Sequence, residues 1–126
     1  TAKGKRTNAR GVDINRNFPT KNWSPVAANN RYSPGPSPSS EPETRLVMDL
    51  IAQYEPRLII SIHGDLHMIN YDGPAKEIAE RMTPGSLGTY AGVERNIPII
   101  TLELPPVGID EAWEQNREAL LDVIAQ

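Results

Sequence analysis

The sequence predicts an α/β fold, a mostly parallel or mixed sheet with helices on both faces, incomplete in this chain. Three observations carry that expectation. Two short runs rich in β-branched residues, RLIISI (57–62) and IPIITLELPP (97–106), lack polar alternation, as strands covered on both faces do. Amphipathic stretches stand before, between and after them. The resulting order of helix, strand, helix, strand, helix is that of a sheet wound with helices. A sheet usually has about five strands, so two imply part of a larger domain.

Along the chain, residues 20–40, TKNWSPVAANNRYSPGPSPSS, carry four prolines and almost no periodicity, which predicts a long surface loop or flexible linker. Ser40 and Glu43 then form a capping box, Pro42 suits a first helical turn, and Leu46, Leu50, Ile51 and Tyr54 supply one apolar face. Together they predict a helix over 41–54. The first strand runs straight into His63. A short helix is expected over 74–82, followed by a turn-rich stretch, TPGSLGTYAG. The second strand is closed by Pro105 and Pro106, and Asp110 is the predicted cap of a last helix whose inner face is Trp113, Leu120, Leu121 and Ile124. There is no internal repeat.

Composition narrows the chemistry. With 126 residues, 38% of them apolar, the chain can build one core. It has no cysteine, so a metal would need histidine or carboxylate, and His63 and His67 are the only imidazoles. No apolar run approaches the ~18 residues that span a bilayer, and the basic start lacks the apolar centre of a signal peptide. No membrane partner is expected, and the expected location is cytoplasmic, with the periplasm as the alternative. The net charge of −3 is uneven: residues 1–31 carry seven Lys/Arg against Asp13, and residues 32–126 carry six against fifteen acidic residues. In the basic stretch 6–19 the charges alternate with Asn, Gly and apolar residues, and only Phe18 offers a ring for base stacking. A small anion is therefore the expected partner, and no nucleic acid.

The basic stretch RTNARGVDINRNFP combines Arg6, Arg10 and Arg16 with Asn8, Asn15 and Asn17. One arginine alone would read as solvated; together, guanidinium forks and carboxamides are the groups that grip a carboxylate in a set orientation. Asp13 is placed to hold one of the arginines. If the two strands are parallel, His63 falls just past the carboxyl end of one and Glu103 near the carboxyl end of the other, the edge where ligands bind in open α/β sheets. Two readings stay open: a core histidine with a rim glutamate, or a metal ligand with a general base. His67 reads as a loop or pocket residue, and Asp65 as a turn residue that could orient an imidazole.

The motifs RTNARGVDINRNF, SEPET, ISIHG and TLELP, in this order, resemble the zinc carboxypeptidases of the carboxypeptidase A type over nearly all 126 residues. HGDLHMINYDGPA and TPGSLGTYAG are most similar to a bacterial branch that cuts the bond between γ-D-glutamate and diaminopimelate in cell-wall (murein) peptides. The resemblance implies zinc-dependent hydrolysis of a peptide or amide bond next to a free carboxylate, with a peptide as partner. It implies His63 as the third zinc ligand, Glu103 as the base that moves a proton from water to the leaving amine, and Arg6 as the stabiliser of the oxyanion. Asn15 and Arg16 would hold the substrate's free carboxylate. Two further zinc ligands would come from an upstream His-x-x-Glu that these residues do not contain. The family's mobile tyrosine would fall at Arg81, and neither Tyr71 nor Tyr90 takes that place. The step from AKEIAERM into TPGSLG is shorter than in the family, which predicts an omitted segment near Met82 and Thr83. On this reading residues 1–126 are the carboxyl-terminal portion of one metallopeptidase catalytic domain. The alternative is a metal-free pseudoenzyme that binds peptide carboxylates.

Overall fold

The computed structural model describes residues 6–27, 29–64, 69–72, 83–104 and 107–125. The expected helix 74–82, the Pro105–Pro106 closure, and Asp65, His67, Arg81 and Met82 lie outside them. Helix α1 (Pro42–Tyr54) precedes strand β1 (Ile59–Gly64), and β2 (Ile69–Asp72) and β3 (Ile99–Leu104) lead to helix α2 (Ile109–Ile124). The sheet order is β1-β3-β2. Strand β3 pairs parallel with β1, Ile59 opposite Ile99 through Gly64 opposite Leu104, and antiparallel with β2. The sheet is mixed and the fold is α/β, as predicted. Strand β2 was not anticipated, because four residues alternating apolar and polar, INYD, give too short a signal.

The core gathers Phe18, Ile51 and Tyr90, with Ile14, Val47, Met48, Ile59, Leu87 and Ile97 packed around them. The Phe18 and Tyr90 rings stack at 5.5 Å. Helix α1 has the predicted extent, ends where Glu55 turns left-handed (φ 43°) and donates its N–H to Ile51 O, and is followed by Pro56. Its inner face differs from expectation. Thr44 and Ile51 are buried with Val47 and Met48 beside them, whereas Leu46, Leu50 and Tyr54 are exposed. The cause is rotational phase. Glu41, just ahead of the helix, is buried and clamped to the basic segment, which turns positions 44, 48 and 51 inward on the same side. The predicted capping box does not form. Ser40 Oγ bonds instead to Glu41 Oε1 and lies 3.0 Å from Asn17 Nδ2.

Three further expectations change. Strand β3 is buried at Ile99, Thr101 and Leu102, but β1 is only half-covered and Ile62 is exposed, since β1 lies at the edge of the sheet that the described residues form. Helix α2 is capped by Gly108, with Asp110 inside the first turn, where its charge suits the helix dipole. Its Trp113, Leu121 and Ile124 are exposed, Leu120 is half-buried and Ala112 is the residue buried, so most of the predicted inner face is not covered by the described residues. TPGSLGTYAG is more ordered than its glycines indicate. It turns at Gly85 and then forms a buried π-type helix, Thr89–Glu94. Among the described residues, no helix is long and apolar enough to cross a membrane.

Candidate active site

The basic segment is held as a rigid loop by its asparagines and acids. Asn8 Oδ1 accepts from the N–H groups of Arg10 and Val12, and Asp13 Oδ1 accepts from Asn15 N–H at the start of a 3-10 turn, Ile14–Arg16. Asn17, with no exposure, places its amide nitrogen near Pro34 O (2.7 Å), Ser37 O (2.9 Å) and Ser40 Oγ, while its Oδ1 accepts from Glu41 N–H. The proline-rich stretch is therefore tied to the site at several points, and of the two readings its composition allowed it is the surface loop and not the flexible linker. Asp13 N–H adds a bond to Ser33 O at 2.8 Å.

Glu41 anchors the other end of this network. Its carboxylate accepts from Asn8 Nδ2 (2.6 Å), Arg10 Nε (2.9 Å) and Ser40 Oγ (2.8 Å). Burial alone pushes the Glu41 carboxyl up, but these hydrogen bonds and the Arg10 charge outweigh it and hold it below its ordinary 4.5. Because the folded value lies below the unfolded one, the stabilisation is present above about pH 4.5 and is lost as pH falls through the folded value. Glu41→Gln is expected to lose about 2 kcal/mol at neutral pH and to show a weaker decline of stability on acidification below that point. Urea unfolding of both proteins along a pH series checks both statements.

The candidate carboxylate site sits on this frame. Asn15 Oδ1 accepts from Leu87 N–H at 2.7 Å, an orientation that leaves its Nδ2 donors without a partner among the described residues. Arg16 donates from one terminal nitrogen to Asn15 O. Burial, chiefly, lowers its pKa, with Asp13 opposing and Arg6 reinforcing the shift. A partly desolvated cation of this kind gains from an arriving anion. Arg6 pairs through Nε with the buried Asp13 carboxylate at 2.6 Å, as the sequence predicted for one arginine, and its terminal nitrogens make no hydrogen bond among the described residues. The guanidiniums of Arg6 and Arg16 both lie against the ring of Tyr32, 5.0 and 5.3 Å from its centre. Sequence reasoning missed Tyr32, and its one signal was an aromatic residue beside Arg31 within the proline-rich stretch.

The turn after Thr83 completes this site. Phe18 N–H donates to Gly85 O, and Gly85 N–H donates to Thr20 Oγ1. Gly85 has φ +70°, and a β-carbon there would run into the Arg16 backbone carbonyl and lie 2.9 Å from Trp23 Cδ1.

His63 and Glu103 form a second group, on the sheet. They are direct partners in the parallel register of β1 and β3, each one residue from its strand's carboxyl end, so His63 ends inside its strand and not past it. The pleat sends both side chains to one face, with His63 Nδ1 3.9 Å from Glu103 Oε1. Ser61 Oγ, two residues earlier on that face, lies 3.0 Å from His63 Nε2. Among the described residues no set of three His, Cys, Asp or Glu could hold a metal, and no hydrogen bond or ion pair links this pair to the arginines.

A parallel strand pair that presents a histidine beside a glutamate at its carboxyl end, in a chain that also carries an ordered arginine–asparagine loop, defines a class. The zinc carboxypeptidase family profile matches residues 1–81, and the chain belongs to that family. Among its relatives, murein peptide amidase A of Escherichia coli is 33% identical over 147 aligned positions, covering 96% of this chain and 60% of the relative. That of Vibrio campbellii is 30% identical and is covered to 58%. The crystal structure of murein-tripeptide amidase MpaA from Escherichia coli O157 superposes with a TM-score of 0.74 at 31% identity, over 94% of this chain and 60% of that one. Bovine thrombin-activatable fibrinolysis inhibitor, in complex with tick carboxypeptidase inhibitor, matches with a TM-score of 0.53 at 22% identity over 78% and 47%, which shows the shared fold. The chain thus spans about 60% of the length of the curated relatives it matches. The 147 aligned positions exceed its 126 residues by 21, so at least 21 positions of the Escherichia coli relative have no counterpart within the aligned part. The family profile stops at Arg81, beside the step where an omitted segment is expected.

Proposed function

We propose that these residues form the carboxyl-terminal portion of one metallopeptidase catalytic domain that hydrolyses a peptide or amide bond next to a free carboxylate in murein peptides. The observation that carries this reading is the register that sets His63 against Glu103 at the sheet's carboxyl edge, within a family of zinc hydrolases. The match to murein peptide amidases along 96% of the chain supports the substrate class.

His63 fits one zinc ligand position, because Ser61 engages Nε2 and leaves Nδ1, on the Glu103 side, as the coordinating nitrogen. The other two ligands would lie outside the described residues. When bound, zinc acidifies a water and polarises the scissile carbonyl. Glu103 Oε1 takes a proton from the attacking water and delivers it to the leaving nitrogen. The terminal N–H groups of Arg6 stabilise the developing oxyanion while Asp13 holds Nε. Asn15 Nδ2 and Arg16 grip the substrate's carboxylate.

Arg16→Ala tests the carboxylate half. Its KM for a murein tripeptide is expected to rise about thirtyfold with kcat within a few fold, the size of one lost charge-assisted contact. Unchanged discrimination between the free acid and its amide would remove Arg16 from the site. A chelator should stop turnover; peptide affinity that chelation leaves intact, in a protein without turnover, would favour the metal-free binding protein.

A further inference from the structure

We propose that Tyr32 is a positioning residue whose ring holds the guanidiniums of Arg6 and Arg16 together at the carboxylate end of the site; this rests on the function proposed above. The Cζ atoms of Arg6, Arg16 and Arg31 lie 5.0, 5.3 and 5.9 Å from the ring centre, all within cation–π range. Like charges gathered at one ring repel each other, and Arg31 adds a third to those of Arg6 and Arg16. The nearby Asp13 carboxylate bonds Arg6 Nε and, among the described residues, makes no hydrogen bond to the Arg16 guanidinium. The ring lies against both guanidiniums.

A ring suits this task chemically. Its electron-rich face attracts a cation without using any N–H donor, whereas a second carboxylate would occupy the forks that must grip the substrate. The ring is also well placed to transmit position. Tyr32 ends a 3-10 turn, Asn30–Tyr32, capped by Asn29 Oδ1. The residues that follow bond back to the arginine loop, Ser33 O to Asp13 N–H and Pro34 O to Asn17 Nδ2. Tyr32 is thus attached to the segment whose side chains it arranges. Its hydroxyl makes no hydrogen bond among the described residues, so it is the ring face, and not the hydroxyl, that Tyr32 adds to the Arg6–Asp13 and Arg16–Asn15 bonds.

The test compares Tyr32→Phe and Tyr32→Leu with the wild type, using N-acetyl-dialanine and its carboxyl-terminal amide as probes. Phenylalanine is expected to bind the acid within twofold of wild type. Leucine is expected to weaken it about tenfold, the sum of two cation–π contacts, with little change toward the amide. The Nε–H resonances of Arg6 and Arg16 should carry a ring-current shift in the wild type and in Tyr32→Phe and lose it in Tyr32→Leu. A leucine variant that retains the acid affinity, or a wild type whose arginine resonances show no ring shift, overturns the proposal; the second reading does not depend on the leucine variant folding. If the wild type does not prefer acid over amide, the carboxylate site itself is wrong. The arginine resonances then decide alone: a ring-current shift on both in the wild type and in Tyr32→Phe upholds the ring's hold on the two guanidiniums, and its absence from either overturns it.

Discussion

Exchanging Glu103 for glutamine is expected to lower kcat of the complete, zinc-loaded enzyme about a thousandfold, within the range for loss of a general base. The change is nearly isosteric. It keeps the β1–β3 pairing, leaves His63 beside Ser61, and removes only the ability of Oε1 to take a proton. Metal content and substrate affinity should therefore stay within a few fold of wild type. That pattern, a collapse in kcat with KM and zinc retained, separates a proton carrier from a ligand or a structural residue. Measuring zinc per chain alongside steady-state rates on a murein tripeptide decides it. A variant within tenfold of wild-type kcat would show that the proton moves elsewhere.

The second large effect is structural and lies about twenty residues earlier. Gly85→Ala should cost about 3 kcal/mol, because left-handed backbone is unfavourable for alanine and the new methyl has no free space. Relief requires the turn to back away from the Arg16 carbonyl. That movement pulls on the Phe18 N–H bond to Gly85 O and on the Leu87 N–H bond that orients Asn15, so carboxylate affinity should fall along with stability. Two other glycines separate the causes. Gly11 shares the positive φ with nothing within 4 Å, so Gly11→Ala should show the backbone strain alone, and Gly108→Ala, with ordinary φ and open space, should cost only about 0.5 kcal/mol for a poorer N-cap residue. Denaturant unfolding of the three variants orders them. Equal costs at Gly85 and Gly11 would mean that the contact with Arg16 does not matter.

The parts of this architecture that local chemistry dictates were legible in the sequence. The limits of α1 followed from Pro42 and the residues around Glu55-Pro56, and β3 from an unbroken β-branched run. The conjunction of His63 with Glu103 was foreseen because parallel pairing brings equivalent strand ends together. What escaped depends on distant partners. The inner face of α1 was misassigned because two apolar stripes compete on that helix and the choice is made by Glu41, bonded to Asn8 and Arg10 about thirty residues away. The π-type helix after Gly85 escaped because Gly88, Thr89 and Gly92 are weak helix formers, and burial rather than propensity holds them. Tyr32 escaped because nothing local marks a ring that will meet two arginines sixteen and twenty-six residues earlier in the chain.

Asn17 carries a constraint of a different kind. Its side chain uses an amide nitrogen toward the Pro34 and Ser37 carbonyls and an oxygen toward the Glu41 N–H, so both halves of the group are read at once. Aspartate has the same outline and would turn a lone pair toward two carbonyl lone pairs, beside the buried Glu41 carboxylate. Hydrolysis of that one amide, the slow chemical ageing to which asparagine is prone, would thus set the frame of the site against itself. That ageing begins when the next backbone nitrogen closes on the side-chain carbonyl, and here Phe18 N–H is engaged by Gly85 O while both ends of the Asn17 amide are held, so the bonds that build the site also oppose its decay.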